Sequence, residues 1–71
     1  MVRVLLANRL FEKRWSQAEL ARQTGIRAAT INDLYHEFAE RISFDNLDKI
    51  CDALGCNISD ILVREQPTYK K

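Results

Sequence analysis

Residues 17–34 read QAELARQTGIRAATINDL, and the spacing of apolar positions in that stretch decides the fold. Leu20 and Ala21 point inward from a first short helix, and Ala21 is small enough for a second helix to cross close to it. Gly25 stands where the chain turns sharply, with the positive φ that glycine adopts without steric cost. Ile26 re-enters the core, and Ile31 and Leu34, three residues apart, form the inner stripe of a second helix. The outer face of that helix is left to Arg27, Ala28, Ala29, Asn32 and Asp33. The pattern predicts two steeply crossed helices, a glycine turn between them, and a helix face unclaimed by the core, which is a helix-turn-helix.

The same reading extends outward. Ser16-x-x-Glu19 is a capping box that starts the first of these two helices. A preceding helix runs over about 3–13, with Leu6 and Leu10 inward. The helix after the turn starts near Arg27 or Ala28 and ends near His36, and residues 37–43 are an irregular linker. Ser43 or Phe44 opens a fourth helix that ends before Gly55, and Asn57 or Ser59 caps a short fifth one through about Val63. Five helices and no strands are expected, in a single domain over 1–66, with 67–71 as a frayed tail after Pro67. The expected core is Leu6, Leu10, Trp15, Leu20, Ala21, Ile26, Ile31, Leu34, Leu47, Ile50, Cys51, Leu54, Ile58, Ile61 and Leu62. Trp15 packs at the corner between the first two helices or stacks on a base.

Ile42–Leu62 adds the block F-D-x-L-x-x-I-C-x-A-L-x-C at residues 44–56. With the turn segment and its flanks, Trp15-Ser16-Gln17 and Leu34-Tyr35, the chain resembles the phage repressor and Cro class of helix-turn-helix proteins, the XRE family, over roughly residues 2–63. The resemblance implies an all-α, five-helix, lambda-repressor-like domain whose second motif helix, about 27–36, lies in the major groove of an operator. It also implies that Gln17 clamps a phosphate, with Ser16 helping. Two departures from the family pattern stand out. Arg14 occupies the place of a glycine after the first helix, and His36-Glu37-Phe38-Ala39-Glu40-Arg41 replaces a segment where relatives often carry Lys and Gly.

The chemistry of the reading face follows from its side chains. Arg27 can bond guanine O6 and N7 bidentately or clamp a phosphate. Ala28 and Ala29 offer only methyl groups, which fit a thymine methyl. Asn32 can pair with adenine, and Asp33 can accept from cytosine N4; the other reading of both is an exposed polar face. Thr30 reaches DNA or packs against the preceding helix. Arg41, and His36 when protonated, supply positive charge to the linker, whereas Glu37 and Glu40 oppose binding.

Net charge is only +1, but it is unevenly spread. Residues 1–31 carry six Lys and Arg against two Glu, a balance of +4, and residues 32–71 carry five against eight acids, a balance of −3. A basic half is the electrostatic footprint of a DNA binder, because phosphate contacts dominate affinity.

Other function classes find little footing. One His, no Gly-rich phosphate loop and no nucleophile beside a base argue against an enzyme. Cys51-x4-Cys56 with His36 gives too few ligands and the wrong spacing for a metal site, so no metal or cofactor is expected. No apolar run is long enough to span a bilayer, the Val4–Ala7 patch is too short for a secretion signal, and a cytoplasmic protein without a small-molecule effector pocket is expected. The partner expected is double-stranded DNA, bound by a weak homodimer, formed in solution or on the DNA. Cys56, Ile58, Ile61, Leu62 and Val63 crowd too many apolar groups into one short span, so they either form that dimer interface or close the monomer core. An adaptor or antitoxin-like interaction module with the same fold is the competing reading.

Overall fold

The computed structural model describes residues 1–66, and the expected tail at 67–71 lies outside them. A strand β1 (Val2–Val4) leads into α1 (Leu6–Lys13), α2 (Gln17–Thr24), α3 (Ala28–Tyr35) and α4 (Phe44–Leu54). A single 3-10 turn at Ile58–Asp60 follows, then a strand β2 (Leu62–Arg64).

The domain is of the expected all-α helix-turn-helix class, and the two short strands correct only the expectation of five helices and no strands. They form an antiparallel ribbon in which Val2 faces Arg64, Arg3 faces Val63 and Val4 faces Leu62. Val2 and Val4 are β-branched and alternate with Arg3, a pattern that suits a half-buried strand. The pairing continues past the strand ends. Leu5 N–H donates to Ile61 O at 2.6 Å, and Glu65 N–H donates to Met1 O at 2.7 Å. The first helix therefore begins at Leu6 rather than near residue 3. The expected fifth helix shrinks to one turn because the following residues give their backbone groups to β1. That turn is held by the Asp60 carboxylate, which accepts Asn57 N–H at 3.0 Å.

The core draws on every helix. Leu6 and Leu10, Leu20, Ile26, Ile31 and Leu34, and Leu47, Ile50 and Leu54 are buried, with Ile61 closing the base below the ribbon. Trp15, Ala21, Cys51 and Leu62 were expected inside and are half-buried against this cluster. Ile58 leaves it: the 3-10 turn points its side chain outward, 55% exposed. Cys51 and Cys56 are free thiols, and burial together with the neighbouring Cys56 pushes the Cys51 thiol up, so it stays protonated.

Candidate nucleic-acid interface

The helix-turn-helix is built as its sequence requires. Ser16 Oγ accepts Glu19 N–H at 3.0 Å and starts α2. Only this half of the expected capping box forms, because the Glu19 carboxylate is taken by Arg22 and, at 2.7 Å, by Gln23 Nε2. Gly25 ends α2 with φ +75° and donates its N–H to Ala21 O at 2.8 Å. Thr24 locks the turn on either side of it: its hydroxyl donates to Leu20 O at 2.7 Å and accepts Ile26 N–H at 3.2 Å. Sequence reasoning passed over Thr24, although a hydroxyl just before a turn glycine is well placed to bridge backbone groups.

Helix α3 buries Ile31 and Leu34 and exposes Ala28, Ala29, Asn32 and Asp33. At 100° per residue these four, with His36, fall on one side of the helix axis. Thr30 is half-buried between the two faces. Arg27 precedes the first turn of α3 in an extended conformation and makes no capping bond, so its guanidinium is exposed at the end of the helix that the stripe begins from. His36 is exposed but not loose: its ring stacks on Phe38 at 5.5 Å and meets Tyr35 edge-on at 5.0 Å.

The other expected contacts divide between two concavities. Ser16 and Gln17 lie in a cleft with Trp15 and with Tyr35 from the end of α3. Arg41 is exposed on a separate groove, lined by Val2, Val4, Leu34, Ile42 and Leu62, beneath the ribbon.

Ion pairing redraws the charge map. Arg9 pairs with Glu12 at 3.0 Å, Arg22 with Glu19, and Lys49 with Asp45 at 3.0 Å. Arg3 grips Glu37 bidentately, Nε to Oε1 and Nη2 to Oε2, both at 2.8 Å, and reaches Glu65 at 3.4 Å. Val4 N–H also donates to Glu37 at 3.0 Å, and together these hold the Glu37 carboxyl down at about 2. Glu37 was expected to repel DNA; its charge is instead taken by Arg3 and it clasps the linker to β1. Among the described residues, Lys13, Arg14, Arg27, Arg41 and Arg64 take part in no ion pair. The +4 balance of the first 31 residues thus reduces to three free cations, Lys13, Arg14 and Arg27.

The family model of the Cro/C1-type HTH DNA-binding domain matches residues 6–67. The chain belongs to that family. No curated protein matches the chain. Membership of the Cro/C1-type family makes the domain a DNA-binding helix-turn-helix domain. The match begins at the first residue of α1, so β1 stands outside it while β2 lies within it. Among the described residues, no helix is long and apolar enough to cross a membrane.

The set Cys56, Ile58, Ile61, Leu62 and Val63 needs revision as a dimer surface. Ile61 is 1% exposed and belongs to the protomer's own core. Leu62 and Val63 are half-buried in β2, where they face Val4 and Arg3, and Cys56 is half-buried against the core. Only Ile58 is fully turned to solvent, because the ribbon gives the span a partner that helix packing alone would not.

Proposed function

We propose that this domain is a sequence-specific DNA-binding regulator of bacterial, phage or mobile-element origin that represses by covering its operator. The observation that carries the reading is the exposed stripe of α3. Arg27 stands free at its start, Asn32 and Asp33 follow on the same side, and Ile31 and Leu34 anchor the opposite side in the core. A helix so held presents its first turns to a major groove, with Arg27 to guanine or phosphate and Asn32 to adenine. Gln17 and Ser16, in the cleft at the start of α2, fit a phosphate contact beside it. Two copies on half-sites about one helical turn apart remain the assembly we favour, meeting through Ile58 and the neighbouring Cys56 and Val63 without Ile61.

The test is binding to the protein's own promoter region across a salt series. Arg27→Ala and Gln17→Ala should each weaken binding by about 1–3 kcal/mol without shifting the melt. Arg41→Ala should mainly reduce the salt slope, by about 1. Unchanged binding in all three variants would favour a protein-interaction module, a reading that the short side chains of Ala28 and Ala29 and the acidity of Asp33 support.

A further inference from the structure

We infer that the cleft joining the end of α1, the start of α2 and the end of α3 seats the sugar-phosphate backbone of DNA, and that Lys13 and Arg14 are its phosphate-contacting cations. This rests on the DNA-binding reading above and extends it to residues that neither the sequence nor the helix-turn-helix pattern singled out for DNA.

The cleft has a volume of about 860 Å³ and takes in Leu10, Phe11, Arg14, Trp15, Gln17 and Tyr35. Its walls are aromatic and Arg14 is the one cation in its lining; Lys13 stands outside the lining, over the Trp15 ring that forms part of the wall. Lys13 Nζ is held 5.2 Å from the centroid of the Trp15 ring, and Arg14 is exposed beside it. The one carboxylate in the cleft, Glu12, is engaged by Arg9 at 3.0 Å, whereas Lys13 and Arg14 pair with no acid among the described residues. An extended polyanion whose sugars offer apolar faces and whose phosphates carry the charge fits such a surface. Continuity supports the same occupant. Gln17 belongs both to this cleft and to the expected phosphate contacts, so a strand that meets Gln17 runs on towards Arg14.

The backbone at Arg14 adds an independent reason. It ends α1 with φ +61°, a left-handed conformation that costs a non-glycine residue and that glycine would adopt freely. No hydrogen bond or ion pair of its side chain within the described fold offsets that cost. A cation held in an unfavourable backbone conformation, at the mouth of a cleft without free acids, contributes to something outside the fold.

The experiment exploits opposite signs. Arg14→Gly in the full chain should raise the melting temperature by about 4–8 °C, through relief of the left-handed backbone. The same variant should weaken binding to a mixed-sequence 20-base-pair duplex, and to the promoter region, by about five- to tenfold near 0.1 M salt, with the salt slope reduced by about 0.9. Lys13→Gln and Arg14→Gln should reproduce the change in slope without the gain in stability. An Arg14→Gly protein that is more stable and binds both duplexes with an unchanged slope overturns the inference. If Arg27→Ala still weakens binding in that case, the DNA reading stands and only the cleft assignment falls. A wild-type protein that binds neither duplex removes both. Capture of poly-glutamate at the cleft, lost on Arg14→Gly while duplex binding is unchanged, would give the cleft to an acidic protein segment and also overturns the proposal.

Discussion

Arg14 after α1 and Glu37 after α3 hold nearly the same left-handed backbone, φ +61° and +60°, where α2 and α4 end on Gly25 and Gly55. The two non-glycine residues differ in what their side chains do. Glu37 accepts two bonds from Arg3 and one from Val4 N–H, so the conformation aims its carboxylate at β1 and ties the α3–α4 linker to the ribbon. The Arg14 side chain has no such partner and stands on the rim of the cleft beside Gln17. One backbone state therefore serves the fold at one turn and is left open to a ligand at the other. A residue's strain is informative only together with the destination of its side chain.

The contrast can be sharpened first where the effect is largest. Leu10 and Leu34 anchor the two turns, 1% and 2% exposed, and each lends its carbonyl to the turn that follows. Leu10→Ala and Leu34→Ala should each cost about 2–5 kcal/mol in urea unfolding. Similar losses place the difference between the turns in their side chains; a large disparity would mean that the turns are anchored unequally.

The next test calibrates the backbone term. A Cβ added at Gly25 meets nothing within 4 Å, so the φ of +75° alone opposes a side chain there. Gly25→Ala should cost about 1 kcal/mol, and Arg14→Gly should return a similar amount. If Gly25→Ala is as stable as the parent, the left-handed conformation costs nothing in this fold and the Arg14 backbone is unstrained.

The smallest effect separates the Glu37 clasp by pH. Arg3 first, and Val4 N–H second, lower the Glu37 carboxyl from 4.5 to about 2. A carboxyl depressed in the folded state stabilises above its unfolded value and loses that contribution as pH falls towards its folded value. The parent should therefore melt higher than Glu37→Gln near neutral pH, and the gap should close between about pH 4.5 and pH 2. A gap that is constant over this range would mean that the pair does not contribute to stability. Arg14→Gln should show no such acid-dependent gap, since no carboxylate of the described fold answers Arg14.

Much of the site was legible residue by residue. Ile31 and Leu34 announced the buried side of α3, and so fixed Ala28, Ala29, Asn32 and Asp33 on the other. Ser16 announced the start of α2, and Gly25 its end. The ion pairs Arg9–Glu12 and Arg22–Glu19 span three residues on one helix and follow from helical spacing. The Arg3–Glu37 pair spans 34 residues and has no local signature, so Glu37 read as a free negative charge. The cleft was equally hidden, because Arg14 and Tyr35 become neighbours of one concavity only when α1, α2 and α3 pack.

What the sequence determined by itself is the helix-turn-helix, since apolar period, cap and glycine turn are properties of segments shorter than twenty residues. The tertiary structure decided the rest. Three-residue strands at opposite ends of the chain carry too little pattern to declare themselves, and each exists because the other satisfies its backbone. That pairing turned an expected fifth helix into one 3-10 turn, drew Ile61 into the core and Glu37 to Arg3. It also settled which cations of a nearly neutral chain remain free, because charge is written in the sequence but its neutralisation depends on distance.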